Sequence, residues 1–294
     1  MQVVHTQQDL QQALGVSASI GFVPTMGNLH SGHISLVKIA QQHAEKVVVS
    51  IFVNPTQFGV GEDFDAYPRT LEKDIELLAA AGVDCLFAPS IAEMYPEGLV
   101  SDFAFDVGAI GTIFCGASRP GHFNGVALVV SKLFNLVKPQ IAVFGEKDFQ
   151  QLKVIQQLTQ RLCFPIQIIS GRTERAADGL ALSSRNQYLS EEERTVAPHL
   201  YITMQQAAED IQRQKVIKAK FLNSLCDHAL WRLVDLGFEP DYLTAVDASN
   251  LSDVNESTKS IVILAAARLG KTRLIDNLVV TNFAEFKQPD FIKS

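Results

Sequence analysis

The residue types best suited to chemistry cluster in Phe22-Val23-Pro24-Thr25-Met26-Gly27-Asn28-Leu29-His30-Ser31-Gly32-His33. Imidazoles donate hydrogen bonds to phosphate oxygens and protonate a leaving oxygen near neutral pH, and His30 and His33 are spaced to reach one side of a common ligand. Gly27 and Gly32 allow close backbone approach, and Pro24 pins the chain before them. Three further polar sets recur along the chain. Asn54 and Gln57 form one. Gly145, Glu146, Lys147 and Asp148, with Gln151 close behind, form the second, and Ser183, Ser184, Arg185 and Asn186 the third. Lys147 suits a phosphate as a point charge. Gln57 and Gln151 are neutral, both donate and accept, and fit a hydroxyl-bearing organic acid better than a phosphate.

These groups need elements that bring them to one edge. Residues 20–23 read as a strand, and Ile34, Val37, Ile39 and Ala40 give the next segment an apolar helical face up to about residue 45. A helix starting near Gly32 or His33 would offer unpaired N–H groups and the positive end of its dipole to phosphate. Residues 47–53 are a nearly continuous apolar strand, as in a parallel sheet covered on both faces, and Asn54 and Gln57 emerge at its carboxyl end, where ligands bind in open α/β sheets. Residues 59–65 read as a mobile loop, with Thr70 as N-cap of the helix that follows. Strands at 84–88, 141–144 and 166–169 alternate with helices at 126–137 and 149–161. Residues 103–114 read as irregular with short strands, and 118–125 as a polar loop. Alternating strands and helices imply a parallel α/β sheet.

Beyond Gly171 the texture changes. Residues 173–186 are polar, helices follow at 191–214 and 216–236, and Leu222, Leu225, Ala229, Trp231, Leu233 and Leu236 form an apolar stripe. Shorter strands come at 242–246, 260–266 and 274–280. The reading is an α+β domain, with the division inside 172–186 and domains of 1–174 and 175–294.

At 294 residues, 47% apolar, the chain carries enough apolar surface for one large and one small domain. A net charge of −7 argues against nucleic acid or an anionic membrane as the main partner, although Arg172 and Arg175 could hold a small anion. The four cysteines show no metal-ligand spacing and read as buried free thiols. No signal peptide or membrane-length apolar run is visible, so cytoplasm is the expected compartment.

The order strand, Pro, Gly, His-x-Gly-His, helix resembles the HxGH signature of the Rossmann-like adenylyl-transferring superfamily, and Leu182 to Arg185 resembles its second, phosphate-closing loop. That much also suits a nucleotidylyltransferase or a non-catalytic nucleotide binder. The longer motifs narrow it. Val53-Asn54-Pro55-Thr56-Gln57-Phe58, Asp65-Ala66-Tyr67-Pro68-Arg69-Thr70, Arg119-Pro120-Gly121-His122-Phe123 and Phe144-Gly145-Glu146-Lys147-Asp148-Phe149-Gln150-Gln151 resemble the pantothenate synthetase family. So do Asp178-Gly179-Leu180-Ala181-Leu182-Ser183-Ser184-Arg185-Asn186, Leu264-Ala265-Ala266-Ala267-Arg268-Leu269-Gly270 and Arg273-Leu274-Ile275-Asp276-Asn277.

The resemblance implies a Rossmann-like fold with a smaller C-terminal lid, and an ATP-dependent ligase that joins pantoate to β-alanine through a pantoyl-adenylate. It implies three ATP-binding segments: Met26, Gly27, Asn28, Leu29, His30, Ser31, Gly32 and His33; Gly145, Glu146, Lys147 and Asp148; and Leu182, Ser183, Ser184 and Arg185. Glu174 would lie beside the adenine. His33, His30, Lys147 and Arg185 would carry the chemistry, with His33 as proton donor. Gln57 and Gln151 would hold pantoate, and Gln57 also β-alanine. Mg²⁺ would ride on the ATP phosphates rather than in a protein metal site. A homodimer is expected, with neither nucleic acid nor membrane as partner. Glu174, where many members have an apolar residue, Cys115, where a Glu is common, and Leu128, where a Thr is common, depart from the pattern.

Overall fold

The computed structural model describes residues 1–15, 19–59, 61–99, 104–281, 283 and 286, and the chain divides into two compact units, Met1–Glu174 and Arg175–Ser294. The first unit opens on β1 (Gln2–Val4) and α1 (Gln7–Leu14), which the apolar pattern does not announce. Three residues are too few to show a period, and α1 is mostly polar. Then come β2 (Ile20–Thr25), α2 (Ser31–His43), β3 (Lys46–Ile51), α3 (Leu71–Ala80) and β4 (Cys85–Phe87). The unit continues through α4 (Ile91–Met94), α5 (Cys115–Ser118), α6 (His122–Val137), β5 (Ile141–Gly145), α7 (Phe149–Arg161) and β6 (Gln167–Gly171).

The strands form a parallel sheet in the order β1-β4-β3-β2-β5-β6. Successive strand residues point to opposite faces, and here both faces are apolar. Phe22, Val48, Phe87, Ala142 and Phe144 enter one core with α1, α6 and α7. Val23, Val49, Leu86 and Val143 enter a second with Val37 and Ala40 of α2 and Leu78 of α3. The chain leaves β2 for β3 on one side and returns to β5 on the other. The carboxyl ends of β2 and β5 therefore flank the point where strand order reverses, the usual ligand crevice of such sheets.

Several boundaries differ from the sequence reading. The strand at 47–53 stops at Ile51, because Phe52 and Val53 lead into a 3₁₀ turn, Pro55–Gln57, capped by Asn54. The polar loop expected at 118–125 is helical at both ends, since α5 closes at Ser118 and α6 already begins at His122. No strand forms among the described residues of 103–114, of which Phe103 lies outside them. A 3₁₀ turn, Gly108–Gly111, stands there instead. Gln150, buried, binds it: its amide donates to the carbonyls of Ile110 and Ile113, each at 2.8 Å. In the loop at 59–65, Val60 lies outside the described residues, and the remainder is a series of turns.

The second unit contains α8 (Glu191–Val196), α9 (His199–Arg213), α10 (Ala219–Asp235) and an antiparallel sheet, β7 (Glu239–Asp247), β8 (Ile261–Leu269), β9 (Thr272–Val280), with β8 central. The helix expected over 191–214 is broken before Pro198, whose ring lacks the N–H a continuous helix needs. Ile261, Ile263, Ala265 and Ala267 of β8 share a core with Leu200, Met204 and Ile211 of α9 and with Leu222, Ala229 and Leu233 of α10. Trp231 is not part of that stripe. Two positions beyond Ala229 it lies on the far side of the helix, and it is 68% exposed. Arg175 is not available to a small anion either: it forks onto the buried Asp276 at 2.6 and 2.8 Å. The cysteines are free thiols, but only Cys85 is buried, and Cys163 is exposed. No helix among the described residues is long and apolar enough to cross a membrane.

Candidate active site

The turn after β2 is shaped by a residue the sequence reading did not single out. Asp74 of α3, 1% exposed, accepts the backbone N–H of Leu29 at 2.8 Å and of Asn28 at 2.9 Å. The hydroxyl of Thr70 also donates to this carboxylate instead of capping α3. Gly27 adopts φ +81°, and a Cβ there would lie 3.0 Å from Asp74 Oδ2 and 3.1 Å from Ile51, so no larger residue fits between them.

The start of α2 is likewise occupied. His30 is the N-cap, its Nδ1 accepting from Gly32 N–H, while His33 Nδ1 accepts from His30 N–H. The backbone N–H groups of His33 and Ile34 go to the His30 carbonyl. The expected bare helix end is thus a reciprocal capping box. Because a backbone N–H can only donate, each Nδ1 is an acceptor, and each neutral ring carries its proton on Nε2. The rings lie 4.2 Å apart. Burial, with His30 as neighbour, pushes His33 down to about 3, and burial with Lys147 lowers His30 as well. Both rings are therefore neutral hydrogen-bond donors at neutral pH in the ligand-free protein. Glu174 packs beside this turn, its Cβ 3.6 Å from where a Cβ on Gly32 would stand.

At the end of β5, Glu146–Asp148 forms a 3₁₀ turn with Lys147 Nζ 3.9 Å from Asp148. The Asp148 charge acts on His30, His33 and His122, so the ends of β2 and β5 and the start of α6 share one electrostatic neighbourhood. Gln151 stands in the first turn of α7, partly buried, and its side chain makes no hydrogen bond among the described residues.

Gln57 is the most heavily supported polar group. Its Oε1 accepts from Asn54 Nδ2 at 3.2 Å, and Asn54 is itself fixed by Tyr95, Thr56 and the Gly125 carbonyl. Gly125 has no Cβ because one would run into the Thr56 backbone. Gln57 Nε2 donates to Met26 Sδ at 2.9 Å, joining this turn to the HxGH turn. A thioether accepts weakly, so this donor is readily transferred to a ligand oxygen. His122 Nδ1 donates to the Gln57 carbonyl at 2.7 Å, and its Nε2 accepts from Arg119 at 3.0 Å. Burial and the adjacent guanidinium lower His122 to about 4, against the opposing pull of that hydrogen bond.

Leu182, Ser183, Ser184 and Arg185 belong to the second unit. Ser183 caps the 3₁₀ turn Ser184–Tyr188 by accepting the Arg185 N–H, and the Asn186 amide donates to the Ala181 carbonyl. Arg175 and Ala181 pair across the base of this segment.

The pantoate-beta-alanine ligase family model matches residues 2–279. The chain belongs to the pantoate–β-alanine ligase family. It is 54% identical to the pantothenate synthetase of Ectopseudomonas mendocina, covering 95% of this chain and 98% of that one. It is 50% identical to the pantothenate synthetase of Thiobacillus denitrificans over 97% and 99%. Among solved structures, pantothenate synthetase from Thermus thermophilus superimposes with a TM-score of 0.86 at 46% identity over 95% and 99% of the two chains. The Francisella tularensis pantoate-beta-alanine ligase, complexed with beta-gamma ATP and beta-alanine, gives 0.77 at 36% identity over 95% and 97%. Within this ligase family chain, Asp74 and His122 are the supporting residues that sequence reasoning missed. Asp74 is one of four charged residues in α3, beside Glu72, Lys73 and Glu76, so nothing local in the sequence marks it as the buried one. His122 lies in the stretch Arg119-Pro120-Gly121-His122-Phe123, whose sequence does not show that its ring holds the Gln57 carbonyl.

Proposed function

We propose that this chain condenses pantoate with β-alanine to give pantothenate, using MgATP and releasing AMP and pyrophosphate by way of a pantoyl-adenylate. The observation that carries this reading is membership of the ligase family over residues 2–279. The geometry of the first unit is consistent with it. The His30 and His33 rings lie 4.2 Å apart and the Lys147 charge acts on both, so on this reading their Nε2–H groups and the ammonium would serve a triphosphate bound at the reversal of strand order. The backbone amides of His30 and His33 are already engaged, so side chains rather than a helix end would meet the phosphates.

The pantoate carboxylate attacks the α-phosphorus, the bond to pyrophosphate breaks, and the leaving charge is taken by these donors and by Arg185. His33 acts as a neutral donor on this reading, not as an acid charged in advance. Gln57 and Gln151 would hold the pantoate hydroxyls, with Gln57 also facing β-alanine, whose amine then attacks the acyl carbon to expel AMP. Glu174 would border the adenine. Mg²⁺ is part of the substrate, bound to phosphate oxygens. Both oxygens of Asp74 already accept hydrogen bonds within the protein, which leaves it unsuited as a metal ligand.

In this scheme residues 1–174 bind ATP and pantoate, while 175–294 act as a lid that brings Leu182, Ser183, Ser184 and Arg185 to the nucleotide and keeps water from the adenylate. A cytoplasmic homodimer completes the proposal. The deciding experiment measures AMP release from ATP. Release that requires both pantoate and β-alanine supports ligation; a product that keeps the nucleotide, or no turnover, would refute it.

A further inference from the structure

Arg119 makes more contacts to the Gln57 turn than a surface ion pair needs. Its Nε and Nη2 fork onto Glu62 at 2.7 and 2.6 Å, in the two-point geometry that guanidinium offers any carboxylate. Its remaining edge is held from behind. Nη1 donates to His122 Nε2 at 3.0 Å, and Nη2 also reaches the Gln57 carbonyl at 3.3 Å, the same oxygen that His122 Nδ1 binds. His122 belongs to α6 and Gln57 to the turn after β3, so the guanidinium is oriented by the rigid sheet edge. Glu62 belongs to the irregular segment between that turn and α3, and the pair is partly exposed on both sides. Side-chain exposures of 19% and 23% leave the pair within reach of a solute, and a second carboxylate could take the place of Glu62 in the same two-point geometry.

We propose that Arg119 is the receptor for the carboxylate of the amino-acid substrate, and that Glu62 occupies this fork until that substrate arrives. The inference rests on the ligase reading above. β-Alanine brings a carboxylate that does not react, and such a charge needs a cationic partner when drawn out of water. Gln57 and Gln151 are neutral. Lys147 and the two histidines lie at the phosphate end of the site. Arg119 touches Gln57, the residue assigned to β-alanine, so a carboxylate in the fork would leave the amine near the acyl carbon. One carboxylate replaces another, and the guanidinium is never left unpaired. Arginine rather than lysine is required, since only its planar fork engages both oxygens.

Two variants separate a receptor from a clasp. Arg119→Gln should raise the KM for β-alanine about 10–100-fold, as expected for losing hydrogen bonds to a charged group. The pantoate KM, read by pantoate-dependent exchange of pyrophosphate into ATP without β-alanine, should shift far less. Glu62→Gln removes the resident carboxylate and keeps the receptor, so its β-alanine KM should stay level or fall. Arg119→Lys keeps the charge without the fork and should land between. 3-Aminopropanol, which lacks the carboxylate, should react equally with wild type and Arg119→Gln. If Glu62→Gln raises the β-alanine KM as much as Arg119→Gln does, the pair is a structural clasp and the proposal falls. A rise in pantoate KM that matches or exceeds the β-alanine effect would assign the fork to the other substrate. If wild type shows no pantoate-dependent exchange, it is the ligase reading that fails.

Discussion

Asp74 Oδ1 accepts the backbone N–H of Leu29 at 2.8 Å across 45 residues of sequence, and its other oxygen takes Asn28. The turn leading to His30 is therefore shaped by a buried negative charge on its protein side, and its amides are spent before any phosphate arrives. Asp74→Asn would oppose an amide N–H₂ to one of those N–H groups. We expect a stability loss of about 1–3 kcal/mol together with a several-fold rise in the KM for ATP. Urea unfolding and ATP titration check both. A stability loss with unchanged ATP affinity would mean that Asp74 supports only the core.

His33 and His122 make stability depend on pH in a direction that can be worked out. Their folded values, about 3 and about 4, lie below the ordinary 6.5, chiefly because burial disfavours the charged ring. Above pH 6.5 both are neutral whether the chain is folded or not. Below it, the unfolded chain takes up protons that the folded chain refuses. Stability should fall from about pH 6.5 downward, by up to roughly 1.4 kcal/mol per pH unit for each group. Urea midpoints at pH 7.5 and pH 5 test this. His33→Gln should flatten the slope, and an identical slope would contradict the burial of that ring.

The two glutamines should fail differently. Gln151→Ala removes a side chain that bonds nothing among the described residues, so its melting temperature should hold while the pantoate requirement rises. A polar contact to a ligand is worth about 0.5–1.5 kcal/mol, and more when its partner is left buried. Gln57→Ala also leaves one of the two Asn54 Nδ2 hydrogens without an acceptor, the other staying on the Gly125 carbonyl, so it should lower the melting temperature as well. Calorimetric titration of pantoate and of ATP separately decides the matter: a Gln151→Ala variant that loses both ligands equally would point to a role in folding.

These contrasts follow the division between what was legible in the sequence and what was not. Apart from β1, the strands of the first sheet showed because residues such as Val47, Val48 and Val49 must bury both faces, and the HxGH turn showed because its glycines and histidines are close in sequence. Gln57 and Gln151 stood out as neutral groups at strand or helix ends. The supports did not stand out, because each is a single side chain whose partner is distant in sequence: Asp74 to Leu29, His122 to Gln57, Arg175 to Asp276. Nothing in the local pattern distinguishes such a residue from a solvated one. Trp231 fails for the opposite reason, an apolar residue whose helical angle turns it outward.

The last expectation concerns the second unit. Arg175 forks onto the buried Asp276, lies 3.6 Å from the centre of the Tyr201 ring, and donates to the Gly179 carbonyl at 3.0 Å. It pairs with Ala181 at the base of the segment that carries Leu182, Ser183, Ser184 and Arg185. Arg175→Met would leave the Asp276 carboxylate buried without its cation, which typically costs about 3–5 kcal/mol. Adding Asp276→Asn removes that stranded charge, so the double variant should regain part of the loss. The hold on Gly179 is not regained, because methionine donates no hydrogen bond. If the Leu182–Arg185 segment serves the nucleotide, the double variant should remain slow in pantoate-dependent pyrophosphate exchange at a temperature where it is fully folded. Lys147→Ala should differ by weakening the initial ATP encounter, which stopped-flow binding would register. Full recovery of exchange in the double variant would confine the Arg175–Asp276 pair to stability and remove it from any role in placing the segment.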